Sequence, residues 1–150
     1  MTEMLFYQLN GQTVEQVLPP LISRSLDRGW RVVVQASSEE RVEALDAHLW
    51  TWRDDSFLPH DTWRDAEAAE QPVLLTVNVD NPNGAAIRFL VDGAAVPEDA
   101  PAYERLVLLF DGDDPEALDA ARSRWAGAKN EGFEVTYWRT DENGRWQRQA

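Results

Sequence analysis

Short, almost wholly apolar segments alternate along this chain with stretches that carry helix-start signals. Trp30–Ala36 is such a segment, and its run of valines is typical of a strand buried on both faces. Thr13–Gln16 and Ser37–Glu40 match capping boxes, and Asp114–Pro115 supplies an N-cap followed by proline at the first helical position. The alternation predicts one α/β domain over residues 1–150, with a mixed, mostly parallel sheet and helices on both faces.

The predicted elements follow from these patterns. The expected strands are Met4–Leu9, Trp30–Ala36, Val73–Val77, Ala86–Val91, Glu104–Phe110, Phe133–Arg139 and a short last strand at Arg145–Gln147. The expected helices are Val14–Asp27, a second helix capped by Ser37 and ending near Trp50, and a third from Asp114 to Glu131. Pro19–Pro20 predicts a kink or a late start in the first helix, and residues 51–71 are expected to form a long surface loop.

Composition removes several classes of function. The 150 residues include no cysteine, which excludes disulfides and thiolate metal sites, and the net charge of -13 opposes a broad nucleic-acid surface. Residues 1–113 hold 8 basic and 20 acidic side chains, whereas residues 114–150 hold 6 and 7, so the last quarter repels an anion least. The absence of a signal-peptide pattern and of any apolar stretch of about 18 residues predicts a cytoplasmic protein.

Signals for chemistry are sparse. The first strand is followed by Asn10–Thr13, which lacks a glycine-rich phosphate cradle, and His48 and His60 lie in different predicted elements without metal-ligand spacing. We therefore expect no nucleotide, no cofactor, no metal and no active site. The alternative from another class is a small acidic α/β hydrolase using loop carboxylates such as Asp54, Asp55 or Asp111. Direct DNA binding is a third possibility, which the charge disfavours.

Two features favour protein binding. Leu49–His60 places Trp50 and Phe57 beside an arginine, which is the composition of an interface hot spot; the alternative is that these aromatics cover the end of the core. On the third helix, Arg122 and Lys129 border an apolar face and suit a carboxylate beside an aromatic ring. An ordinary amphipathic helix with solvated basic residues is the alternative there.

Several motifs together resemble a known family. They are Phe6-Tyr7-x-Leu9, Gly29–Val32, Glu40–Asp46 with Leu49-Trp50, Asp55–His60, Asn81–Gly84, Leu108–Gly112 and Asp114–Leu118 with Ala121-Arg122. In this order, over nearly the whole chain, they resemble the chi subunit family of bacterial DNA polymerase III. The resemblance implies a Rossmann-like fold without a nucleotide site, and a non-catalytic accessory subunit in the clamp-loader part of the replicase.

The resemblance also implies partners and their sites. Family members bind the acidic tail of single-stranded-DNA-binding protein, which ends in an aromatic residue with a free carboxylate, and a psi subunit or a helicase. The tail-binding arginine falls on Arg122 and a neighbouring aromatic position on Trp125, while a lysine that helps in some members is replaced by Ala126. Lys129 and Arg124 are the candidates to replace that lysine. The partner-facing aromatics for psi or the helicase fall on Trp50 and Phe57.

Overall fold

The computed structural model describes residues 2–51 and 60–150, whose strands form one eight-stranded sheet. The strands are β1 (Glu3–Leu9), β2 (Val32–Gln35), β3 (His60–Thr62), β4 (Val73–Thr76), β5 (Ile87–Leu90), β6 (Arg105–Asp111), β7 (Glu134–Thr140) and β8 (Trp146–Arg148). The helices are α1 (Val14–Asp27), α2 (Glu39–Trp50) and α3 (Pro115–Asn130). The strand order is β3-β4-β2-β5-β6-β1-β7-β8, and every pair is parallel except β7 with β8. The predicted mixed, mostly parallel sheet is confirmed.

Alternation along the central strands explains why helices cover both faces. In β1, Leu5 and Leu9 pack into the core beneath α1 and α2, whereas Met4 and Phe6 point to the other face. That second face is covered by α3. Because successive side chains of a strand point in opposite directions, an almost continuously apolar strand needs cover on both sides.

None of the helices among the described residues is long and apolar enough to cross a membrane.

Helix α1 begins where the capping box predicted. The backbone N–H of Gln16 donates to Thr13 Oγ1 at 3.2 Å, and the Thr13 N–H donates to Gln16 Oε1 at 2.9 Å. Of the two alternatives predicted from the prolines, a kink or a late start, the late start does not occur, because the helix runs from Val14 to Asp27. Pro19 is buried, and this apolar burial offsets part of the cost of the backbone hydrogen bonds that two prolines remove.

Helix α2 is capped by Ser38 and not by Ser37 as predicted. The Ser38 hydroxyl accepts the backbone N–H of Arg41 at 3.3 Å, so the third helical position is Arg41 and not Glu40. The arginine side chain pairs with Glu15 at 2.6 Å and with Asp92 at 2.8 Å. The shifted cap therefore ties α2 to the start of α1 and to the turn after β5.

The expected long loop at 51–71 contains structure, so that prediction is wrong for its described part. His60–Thr62 pairs in parallel with Val73–Leu75 as the edge strand β3, and Ala68–Glu70 forms a turn of 3₁₀ helix. His60 and Ala68 are buried despite the polar surroundings. A three-residue edge strand is too short for the period-two pattern to reveal it.

The strand predicted at Ala86–Val91 carries a fully buried arginine. Arg88 Nε donates to Gln35 Oε1 at 2.9 Å, and its Nη1 donates to the Asp80 carbonyl and the Tyr103 hydroxyl, each at 2.9 Å. Its Nη2 donates to the carbonyl of Asn78. The guanidinium thus binds the 78–80 loop to β2 and to the segment before β6.

Candidate functional site

Helix α3 is fixed on the sheet by its caps and by small residues. Asp114 Oδ1 accepts the backbone N–H of Glu116 at 3.0 Å, and Gly132 ends the helix region with φ of +88°. Ala121 and Ala128 are buried against β1 and β6, so the helix lies close to the strands. Arg122 and Lys129 lie on the helix surface beside this buried face, at the border between the core and solvent.

Trp125 forms an aromatic wall beside this stripe. Its ring lies edge-to-face with Phe6, at 5.6 Å between centroids and 72°, and with Tyr137, at 5.7 Å and 77°. Each such pair adds about 0.5–1.5 kcal/mol beyond the area that it buries. The indole is therefore held in one orientation while part of it stays exposed.

Tyr137 is oriented by the sheet beneath it. Its hydroxyl donates to Gln8 Oε1, and Gln8 Nε2 donates to Asn10 Oδ1 at 3.0 Å. Gly112 allows this arrangement, because a Cβ at that position would lie 2.5 Å from Gln8 Cγ. Burial raises the pKa of Tyr137, and the positive charges of Arg122 and Arg139 oppose that rise by stabilising the phenolate. Both guanidiniums are thus near enough to act on the same hydroxyl.

These side chains enclose a pocket of about 380 Å³, which we call the Arg122 pocket. Its walls include Gln8, Arg122, Trp125, Tyr137, Arg139 and Gln149. Arg122 comes from α3 and Arg139 from β7, and both are exposed. Among residues 2–51 and 60–150, neither guanidinium has a hydrogen-bond or ion-pair partner. Two guanidiniums beside an aromatic wall can accept an anion attached to an aromatic group.

The other two basic residues proposed from the sequence lie in different places. Lys129 Nζ is 5.0 Å from the centroid of the Trp125 ring, so it borders the same aromatic wall. Arg124 instead lies on the other flank of α3, where its Nη2 approaches the Gly93 carbonyl at 3.4 Å and burial lowers its pKa. The structure therefore brings together Arg122, Trp125 and Lys129, and it separates Arg124 from them.

Five residues of the pocket were not predicted from the sequence: Gln8, Tyr137, Arg139, Gln149 and Ala150. Gln8 lies on β1, and Tyr137 and Arg139 lie on β7, more than a hundred residues later in the sequence. Only the order of strands in the sheet makes these three neighbours of α3. The alternation of β7 was the available signal. It places Val135, Tyr137 and Arg139 on one face, but it does not say that α3 covers that face.

A second candidate surface lies at the end of α2. Trp50 is 51% exposed, and its ring centroid is 4.2 Å from that of His60. The His60 side chain is buried, with Nε2 3.1 Å from Asp46 Oδ1. We call Trp50 and the His60 ring beneath it the Trp50 surface. Phe57, which was predicted to share this surface, lies outside the described residues, as do Asp54 and Asp55.

The turn after β1, where a Rossmann-like fold would bind a phosphate, is occupied by the chain itself. Asp113 Oδ2 accepts the backbone N–H of Gly11 at 3.2 Å, and Thr13 caps the first turn of α1. The Gly11 amide is the group that would bind a phosphate, and the Asp113 carboxylate already bound to it repels other anions. A crevice of about 630 Å³ does lie beside this turn, and its lining includes the Arg41–Glu15–Asp92 network, whose charges are already paired with one another.

The remaining loop carboxylates also have structural roles. Asp111 Oδ1 accepts the backbone N–H of Asp113 at 2.9 Å, and Asp114 caps α3. In the part of the chain that the structure describes, no group of three or more histidine, aspartate or glutamate side chains is placed to hold a metal ion. The arrangement at Asp111 is that of a turn.

Comparison with known proteins shows the family of this chain. Residues 1–136 match the family model described as "DNA polymerase III chi subunit, HolC". A protein of Pseudomonas aeruginosa named "DNA polymerase III subunit chi" is 27% identical over 119 residues, which cover 79% of this chain and 80% of that relative. A protein of Rickettsia prowazekii named "Probable DNA polymerase III subunit chi" is 22% identical over 117 residues, covering 74% and 71% respectively. The chain therefore belongs to the chi subunit family of DNA polymerase III.

Proposed function

We propose that this protein is a non-catalytic accessory subunit of the DNA polymerase III holoenzyme that acts in the cytoplasm, within the clamp-loader complex. It links the replicase to single-stranded-DNA-binding protein by holding that protein's acidic C-terminal tail in the Arg122 pocket. Membership of the chi subunit family supports the replicative role, since the family name is that of an accessory subunit and not of a catalyst. It touches nucleic acid only through its partner, in keeping with a net charge of -13.

The observation that supports the tail-binding role is the pair of guanidiniums beside Trp125 and Tyr137, which have no hydrogen-bond or ion-pair partner among residues 2–51 and 60–150. A carboxylate bound by Arg122 makes a charge-assisted hydrogen bond, which contributes about 1.5–3 kcal/mol. The aromatic side chain of the tail packs against the exposed part of Trp125, which Lys129 flanks. The overall charge opposes an acidic tail, so we expect modest affinity that depends on salt.

The carboxylate at the end of the tail should be essential. We expect a fluorescent tail peptide with a free terminal carboxylate to bind the whole chain, and the same peptide with an amidated terminus to bind about tenfold or more weakly. Fluorescence anisotropy with both peptides measures the difference. A shuffled peptide of the same charge is the control for non-specific attraction. Equal binding of the free and amidated peptides would contradict the assignment of the pocket to a terminal carboxylate.

The Trp50 surface, together with Phe57, is proposed as the site for a psi-like subunit or a helicase. An exposed tryptophan resting on a buried histidine presents a large apolar face in a fixed position, as in an interface hot spot. This second surface uses none of the residues of the Arg122 pocket.

Two variants should separate the two partners. We expect Trp50→Ala to cost at least about 2 kcal/mol of binding at its own interface, as hot-spot tryptophans do, and to leave the tail peptide's affinity unchanged. Affinity capture from lysate of the source cells with quantitative mass spectrometry checks this. Trp50→Ala should lose replication proteins other than single-stranded-DNA-binding protein, whereas Arg122→Ala should lose that protein alone. Loss of the same proteins by both variants would refute two independent surfaces.

A further inference from the structure

The Arg122 pocket holds a second cation that the family resemblance did not assign. Arg139 extends from β7 across the pocket from α3, and it is exposed without a hydrogen-bond or ion-pair partner among the described residues. Its register neighbour in β8 is Gln147, which carries no charge. The side chain is therefore available to an incoming anion and is not occupied by stabilising the hairpin.

Neither basic residue named from the sequence takes this place. Arg124 points to the opposite flank of α3, toward the Gly93 carbonyl. Lys129 lies over the Trp125 ring, where a cation–π contact holds its ammonium 5.0 Å from the ring centroid. Arg139 alone shares a pocket with Arg122 among these three, and both lower the pKa of Tyr137 against the effect of burial.

The floor between the two guanidiniums is rigid. Tyr137 donates to Gln8, which donates in turn to Asn10 and is closely approached by Gly112. Trp125 is held between Phe6 and Tyr137. An anion that reaches this floor lies between α3 and β7, in a pocket that both Arg122 and Arg139 line.

We propose that Arg139 is a second carboxylate-binding residue of the Arg122 pocket and takes the place of the basic side chain missing at Ala126. This inference rests on the proposed function, because the ligand is the terminal carboxylate of an acidic peptide. Arg122 and Arg139 bind that one carboxylate from opposite walls. Arg139 thereby contributes to selection for peptides that end at the pocket over peptides that continue past it.

A double-mutant cycle between protein and peptide tests the shared carboxylate. Arg139→Gln keeps a polar side chain of similar size and removes its charge. We expect it to lower the affinity for the free-acid peptide about three- to tenfold. With the amidated peptide the same substitution should change affinity less than twofold, because the carboxylate that Arg139 would contact is already absent. The free-energy effects of removing two groups that contact each other are not additive. Arg145→Gln is the matched control: an exposed arginine of the same hairpin, outside the pocket. It should leave both affinities within twofold.

The possible outcomes separate this inference from the function on which it rests. If the wild-type chain does not bind the free-acid peptide, the proposed function and this inference both fail. If it binds and Arg122→Ala weakens binding at least about tenfold while Arg139→Gln matches Arg145→Gln, only the role of Arg139 is overturned. If Arg139→Gln weakens the free and amidated peptides equally, Arg139 contacts another acidic group of the tail, and the shared carboxylate is refuted. Circular dichroism of each variant shows that the fold is retained.

Discussion

Replacing Arg122 with alanine should weaken binding of the acidic tail peptide about 10- to 100-fold while leaving the stability of the protein nearly unchanged. The guanidinium is exposed and has no partner among the described residues, so its removal leaves no buried group unsatisfied. What is lost is a charge-assisted hydrogen bond to the carboxylate, which contributes about 1.5–3 kcal/mol, together with the attraction of one positive charge. Fluorescence anisotropy measures the affinity, and a urea titration measures the stability.

The matched control for this prediction is Arg24→Ala. Arg24 is an exposed arginine on α1, on the opposite side of the sheet, and its removal changes the net charge by the same amount. If the two variants weakened binding equally, the effect would come from overall charge and the pocket assignment would fall. The ratio of the two affinities, wild type over Arg122→Ala, should also shrink as salt rises from about 0.05 to 0.5 M. The Debye length falls to about 10 Å at 0.1 M and is shorter at higher salt, so an exposed ion pair is increasingly screened.

The largest effect on stability should come from Arg88. Arg88→Ala removes a guanidinium that is wholly buried and hydrogen-bonds to four groups, and it leaves Gln35, Tyr103 and two loop carbonyls without their donor. Each buried polar group left unsatisfied costs about 1–3 kcal/mol, and losing one member of a buried charged network typically costs about 3–5 kcal/mol in total. We expect a decrease of about that size in the free energy of unfolding, measured by urea denaturation.

Arg64→Ala provides the comparison for this result. Arg64 forms ion pairs with Glu39 at 2.7 Å and with Glu43 at 3.2 Å, but half of its side chain is exposed. Exposed pairs contribute about 0–1 kcal/mol, so the midpoint of unfolding should barely move. Should Arg88→Ala fail to fold, Arg88→Lys retains a donor and permits the measurement. A loss below about 1 kcal/mol in the alanine variant would show that water replaces the guanidinium, contrary to its assigned role.

Patterns that act over a few residues predicted much of the fold. Val32–Val34 reads as a strand covered on both faces, and it lies between β4 and β5 in the middle of one half of the sheet. The capping box at Thr13 fixed the start of α1, and the Asp114–Pro115 pair fixed the start of α3. Val42, Leu45 and Leu49 recur at helical spacing in the sequence, and all three are buried on α2. Each of these patterns lies within one helix or strand, so the prediction does not depend on contacts between elements.

Features that depend on contacts between elements were harder to predict. Ser37 and Ser38 are both good cap residues, and the choice of Ser38 places Arg41 where Glu15 and Asp92 can pair with it. The strand pattern at Ala86–Val91 does not indicate the role of Arg88, since its four hydrogen-bond partners come from other segments. Only part of the Arg122 pocket was predicted. Arg122 and Trp125 on α3 follow from helical spacing and from the family resemblance, whereas the pairing of β7 with β1 is what brings Arg139 to the pocket.

The strand order has a consequence for how the two proposed partners are arranged. The Trp50 surface rests on β3 at one edge of the sheet, and the Arg122 pocket lies over β1 and β7 near the other. Six inter-strand steps separate β3 from β7, which at about 4.8 Å each span about 29 Å. The two sites also belong to opposite layers of helices. If both partners bind as proposed, this chain therefore holds them about 3 nm apart. Each bound partner would then raise the effective concentration of the second near the first.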